Sequence, residues 1–184
     1  MPPPPLIVGL GGSLREPSRS RAALRAALKI AADAGAQTEL LDLRELNLPM
    51  FIPTISVEEY PAESQPRIAK FLDACRRADA MIWSSPTYHG TVSGAFKNAL
   101  DFVELMADDA SPYLQNRAVG LIVVADRTTF AAMRDCAHEL RAWLAPTQVH
   151  AGKNDFTAQF ELHSERVQSR LTRMVAELLE FSRR

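Results

Sequence analysis

Cysteine is scarce in this chain, glycine is missing where nucleotide motifs need it, charge of one sign is absent, and no hydrophobic run is long. The two cysteines, Cys75 and Cys136, lie far apart and each falls in a helical pattern. That argues against a disulfide or a cysteine-built metal site, and leaves reduced core cysteines of a cytoplasmic protein as the expectation. Gly9 and Gly11 begin a dinucleotide fingerprint, GxGxxG, but Leu14 stands where the third glycine belongs. No Walker lysine followed by Ser or Thr is present, which argues against a nucleoside triphosphate. A formal net charge of −1, with the arginines dispersed through helical segments, gives no basic face for nucleic acid or an anionic membrane. No apolar stretch approaches a transmembrane span. Met1 followed by Pro2 to Pro5 makes a stiff, extended start without the apolar centre of a secretory signal.

What is present is an alternation. With 47% hydrophobic residues in 184, the chain can bury a full core, and one domain over residues 1–184 is expected. β-Branched apolar runs at 6–10, 38–43, 80–84 and 118–125, with a short one at 147–150, alternate with 3.6-periodic segments at 20–34, 64–77, 93–106, 130–144 and 162–181. Alternating β and α with buried strands means an α/β fold whose parallel sheet has helices on both faces. Residues 48–66, broken by Pro49, Pro53 and Pro61, form a long connection that packs over the sheet edge or reaches a partner subunit.

Two loops are rich in special residues. The first, Gly12 to Ser20, joins the first strand to the first helix, where unpaired N–H groups and the helix dipole favour an anion. Ser13, Ser18 and Ser20 add hydroxyls, and Arg15 and Arg19 add charge-assisted donors, a set suited to a phosphate monoester. The serines also read as helix caps. The second loop, Ser84 to Gly90, contains Pro86, Thr87, Tyr88 and His89. Its proline stiffens the backbone, Gly90 permits an unusual turn, and the rings suit a flat heteroaromatic ligand. In strand order 2-1-3-4-5 the chain reverses between the first and third strands, so these two loops face each other across one crevice. His89 also reads as a general acid or base, although no orienting carboxylate lies near it in the chain. Ser93 reads as an N-cap and Lys97 with Asp101 as a local ion pair.

Gly12-Ser13-Leu14-Arg15 with Ser18 and Ser20, then Asp42 to Leu46 before Leu48-Pro49, then Ser85 to Gly90 and Ser93 to Asp101, together resemble the NAD(P)H-dependent FMN reductases. Within that family the Pro17 to Ser20 variant is most similar to the reductases of two-component alkanesulfonate monooxygenases. The resemblance implies a flavodoxin-like three-layer sandwich with a five-stranded parallel sheet in order 2-1-3-4-5. It implies FMN, its phosphate held by Ser13, Arg15, Ser18 and Ser20, with Arg19 a weaker candidate, and its ring lined by Pro86, Thr87, Tyr88, His89 and Gly90. Hydride would pass from NADPH or NADH to flavin N5 and on to a small-molecule acceptor: free flavin, a quinone, an azo dye or an oxyanion such as chromate. No side chain need act as acid, base or nucleophile, and no metal is implied. A homodimer or homotetramer, and a monooxygenase receiving reduced flavin, are the implied partners.

One departure stands out. After the fourth strand the family carries a glycine-rich loop, whereas residues 124–130 read Val-Ala-Asp-Arg-Thr-Thr-Phe. Bulky, charged residues there would either block close backbone approach or replace it with side-chain contacts from Thr128 and Thr129, and Asp126, if near N1, would disfavour a reduced, anionic flavin. Three other readings compete. A flavodoxin-like electron carrier would have a different phosphate loop and a more acidic surface. A Rossmann enzyme would use Asp42 as ribose ligand but lacks the fingerprint. A non-catalytic relative would keep the fold alone.

Overall fold

The computed structural model describes residues 3–183, so Met1 and Pro2 of the proline-rich start lie outside the described residues. β1 (Leu6–Gly11), β2 (Gln37–Asp42), β3 (Ala80–Pro86), β4 (Ala118–Val124), β5 (Trp143–Leu144) and β6 (Val149–Ala151) form one sheet in order β2-β1-β3-β4-β5, with β6 also on β4. Every pairing is parallel. The expected order therefore holds, and its switch point lies between β1 and β3. β4 is buried along its whole length, as a central strand covered on both faces must be.

α1 (Arg19–Asp33) and α6 (Glu165–Phe181) cover one face of the sheet, while α3 (Gln65–Arg77), α4 (Gly94–Asp101) and α5 (Thr129–Glu139) cover the other. In α6 the buried residues Val167, Leu171, Met174, Val175, Leu178 and Leu179 recur at the spacing that puts them on one stripe. α2 (Leu43–Leu46) is a single turn in the connection after β2, capped by Asp42. Residues 48–60 then pack onto the α3–α4 face, where Phe51 and Tyr60 both meet the Phe102 ring. Among the described residues no helix is long and apolar enough to cross a membrane.

Four boundaries differ from the sequence expectation. The helix expected at 130–144 stops at Glu139 because Arg141 turns left-handed (φ 61°) and the Ala142 N–H folds back to the Ala137 carbonyl. Trp143 and Leu144 then join the sheet. The fifth strand is thus two pieces: Trp143 and Leu144 pair with Ala118 and Val119, and Val149 to Ala151 pair with Ile122 to Val124. Four residues, 145–148, bulge out opposite the two between, and Pro146 among them cannot donate to a ladder. The helix expected at 93–106 is α-helical to Asp101 and continues as a 3₁₀ turn over Phe102–Met106. The last helix begins at Glu165 instead of 162, since Leu162 pairs with Phe156 across a tight hairpin.

Candidate functional site

The loops after β1 and β3 are bound to each other before any ligand is considered. The Gly12 N–H donates to the Ser84 carbonyl at 2.8 Å, and the Ser93 hydroxyl donates to the Gly12 carbonyl. Ser93 also accepts the Phe96 N–H at 3.1 Å, so it is the α4 cap that the sequence indicated. A Cβ at Gly12 would lie 2.9 Å from the Phe96 side chain, so only glycine lets the loop pass this close to α4. From the other side, buried Ser84 donates to the Ser20 carbonyl at 2.9 Å and ties β3 to the start of α1.

The first loop ends at Ser18, which caps α1 by accepting the Arg21 N–H. The backbone N–H groups of Arg19 and Ser20 have no protein acceptor among the described residues, as expected of a first helical turn. The hydroxyls of Ser18 and Ser20 lie 3.0 Å apart, and Ser13, Ser18 and Ser20 are all buried. The Arg19 guanidinium stacks on the Phe160 ring at 4.2 Å, and its Nε is buried without a hydrogen-bond partner. Arg15 is exposed at the loop crest, its N–H directed to Ser13 Oγ.

Arg21 shapes this loop and was not anticipated from the sequence. It is 9% exposed, donates to the Arg15 carbonyl at 2.9 Å, and meets Glu16 and Asp42, the latter at 3.0 Å. Arg44 joins the same Glu16 carboxylate. The Arg21 hydrogen bond holds the Glu16 carboxyl below its usual range. Asp42, the residue a Rossmann enzyme would turn to a ribose, is buried here, ion-paired with Arg21 and accepting the Arg44 N–H. No short motif marks Arg21, since its partners lie at both ends of the loop and on another strand.

In the second loop Tyr88 and Thr91 exchange both backbone hydrogen bonds, at 3.0 and 3.1 Å, around His89 (φ 50°) and Gly90 (φ 82°). Two positive φ angles at the turn centre make a type I′ hairpin, which explains the glycine. Thr87 faces the third loop. Its hydroxyl bonds the Asp126 carbonyl at 2.9 Å and Thr129 Oγ1 at 2.7 Å, and accepts the Asp126 N–H.

The loop after β4 keeps a glycine-like backbone without the glycine. Ala125 sits at φ 106°, a conformation costly for a residue with a Cβ. Its N–H bonds Ala151 and its carbonyl lies 2.8 Å from His150 Nε2, which holds it in place. Thr129 is fully buried. Thr128 and Asp126 are exposed and bond each other, the Thr128 N–H on the Asp126 carboxylate lowering its pKa.

These parts enclose a cleft of about 170 Å³. Of the residues singled out in the sequence, it brings together Ser13, Arg15, Ser18, Arg19, Ser20, Pro86, Thr87 and Tyr88, and it adds Pro17, Val124, Ala125 and Phe160. His89, Gly90, Asp126 and Thr128 lie outside its lining. Phe160 reaches it from the hairpin before α6, where the Thr157 N–H donates to the Glu161 carbonyl; its one sequence signal is an aromatic residue flanked by Gln159 and Glu161. Among the described residues no group of three His, Cys, Asp or Glu side chains could hold a metal ion.

A family model described as NADPH-dependent FMN reductase matches residues 5–156. The chain belongs to that family. Among its relatives, the NADPH-dependent FMN reductase ArsH of Shigella flexneri is 25% identical over 98% of this chain and 69% of its own. The NAD(P)H-dependent FMN reductase PA1204 of Pseudomonas aeruginosa is 31% identical over 52% of this chain, and the NAD(P)H:quinone oxidoreductase of Solanum tuberosum 33% identical over 52%. The matched stretch spans 48% of each of these two relatives. The flavoenzyme NAD(P)H:(acceptor) oxidoreductase FerB of Paracoccus denitrificans shares the fold, with a TM-score of 0.73 at 15% identity over 97% of both chains. RosB with a bound riboflavin phosphate derivative has the same TM-score at 17% identity, over 97% of this chain and 79% of its own. As a member of the FMN reductase family, this chain places its two diagnostic loops side by side at the sheet's switch point.

Proposed function

We propose that this protein is an NAD(P)H-dependent FMN reductase that binds FMN across the β1 and β3 loops. The observation that carries the reading is the donor set at the start of α1: three buried hydroxyls, two free first-turn N–H groups and the unpartnered Nε of Arg19. A buried donor without an acceptor is costly, and a phosphate monoester would satisfy several at once. Ser13, Arg15, Ser18, Arg19 and Ser20 would hold that phosphate, and Pro86, Thr87 and Tyr88 with His89 and Gly90 would border the ring. When bound, FMN supplies the redox chemistry, accepting hydride from NADPH or NADH and passing electrons to a small-molecule acceptor such as flavin, quinone, azo dye or chromate.

The cleft is below the roughly 300–1,000 Å³ of common ligand pockets. A bound ring would therefore lie largely on the open surface beside Tyr88, which is 47% exposed. That favours flavin exchange, or closure of the site by a second copy in a homodimer or homotetramer. Transfer of reduced flavin to a monooxygenase, a single-domain organisation and a cytoplasmic location complete the proposal. Asp126 and Thr128 are weaker candidates, since both are exposed outside the cleft and the Asp126 carboxylate is taken up by the Thr128 N–H. The test is an absorbance spectrum of purified protein with and without added FMN, then NADPH and NADH titration without oxygen. Flavin uptake followed by bleaching is expected; a protein that takes up no FMN would refute the assignment.

A further inference from the structure

A second cleft, of about 390 Å³, lies against the outer side of the loop after β4, lined by Arg127, Phe130, Gln148, His150, Arg166 and Arg170. No carboxylate is among its lining residues. Arg166 is neutralised by Asp155 at 3.0 Å. Arg170 donates only to the Gln148 carbonyl, at 2.7 and 3.2 Å. The Arg127 side chain makes no hydrogen bond or ion pair among the described residues. Two guanidinium charges thus converge on this cleft without an acidic partner, although Asp126 adjoins Arg127 in the chain. Charge of this kind on a concave surface raises the local concentration of anions.

The position of the cleft narrows what that anion is. One strip of backbone separates it from the candidate flavin cleft: Ala125 lines the flavin side, its carbonyl is held by His150 of the cationic side, and Arg127 and Phe130 follow on that side. A ligand with one end at the flavin ring and a dianionic group at the other would cross this strip. We propose that Arg127 and Arg170 form the subsite for the 2′-phosphate of NADPH, and so select NADPH over NADH. The inference rests on the reductase reading for its choice of ligand. A guanidinium matches a phosphate monoester in charge and in its fork of donors, and NADH presents only a hydroxyl there.

The test compares wild type with R127A and R127A/R170A. In steady-state turnover the KM for NADPH should rise roughly tenfold to a hundredfold, the range for loss of charged hydrogen bonds. The KM for NADH should stay within about twofold, and kcat with NADPH should change little. R127K should recover part of the loss. Calorimetry then measures adenosine 2′,5′-bisphosphate, 5′-AMP and inorganic phosphate on the wild-type protein, independently of turnover. The bisphosphate should bind at least about tenfold more tightly than 5′-AMP, with the difference collapsing in the double variant. Equal binding of the two nucleotides, or equal KM changes for the two coenzymes, would overturn the subsite. Inorganic phosphate binding as tightly as the bisphosphate would also overturn it, marking the cleft as a site for free oxyanions. Bisphosphate discrimination in a protein that takes up no FMN would uphold the subsite and refute only the reductase reading. FMN uptake with no coenzyme preference would do the reverse.

Discussion

Arg15 and Ser13 carry the sharpest residue-level expectation, because each would touch a group that FMN has and riboflavin lacks. R15A should weaken FMN by about 1.5–3 kcal/mol, the usual worth of a hydrogen bond to a charged group, and leave riboflavin almost unaffected in a fluorescence titration. S13A should show the same selectivity, and equal losses for both flavins would remove the phosphate assignment. Ala125 yields a stability prediction. At φ 106° its Cβ is strained by on the order of 1 kcal/mol or more, so A125G should raise the thermal midpoint by about 2–4 °C. The cysteines differ from reactive thiols: burial pushes Cys75 up to about 12, and Cys136 is also raised by burial. Thiol reagents at neutral pH should therefore label the native protein slowly, Cys75 slowest of all.

At the scale of elements, the break in the fifth strand is held by α6. Glu177 accepts the Thr147 N–H at 2.8 Å and the Thr147 hydroxyl at 2.7 Å, and Arg173 lies beside it. Burial raises the Glu177 pKa, but the two Thr147 bonds and Arg173 outweigh it and leave the carboxyl below its ordinary value of 4.5. Asp155 follows the same pattern, burial opposed by the Gly152 N–H, Ser164 and Arg166. A lowered native pKa means the unfolded chain binds protons first, so this stabilisation is complete above the ordinary value and lost as pH falls through the native one. The thermal midpoint should therefore drop below about pH 4.5, and E177Q should flatten part of that drop. The regular strands were legible because β3 and β4 are apolar runs too short for helices. The break at 145–148 was not, because Ala142, Trp143 and Leu144 continue an apolar pattern that suits helix and strand alike. Only the left-handed Arg141 and the pairing with Ala118 decide it.

For the molecule as a whole, two glycines set how closely the helical layer of α1 and α6 approaches the sheet. A Cβ at Gly9 would lie 2.8 Å from Leu28, and one at Gly120 would lie 2.7 Å from Met174 and 3.1 Å from Leu178. G120V should cost about 1–3 kcal/mol in denaturant unfolding, the usual penalty for overpacking. Gly9 thus serves helix packing, which explains why it stands in a fingerprint that Leu14 leaves incomplete. The meeting of the β1 and β3 loops could be foreseen from the strand order alone. The contributions of Phe160 and of the Arg21–Asp42 pair could not, since they arise from segments remote in sequence that only the closed fold brings together. The divided fifth strand has a consequence for the protein in a crowded solution. A sheet margin is a row of unmet N–H and C=O groups onto which another chain can add. Here that margin is offered as stretches of two and three residues interrupted by Pro146, too short and too uneven for a neighbour to extend the sheet.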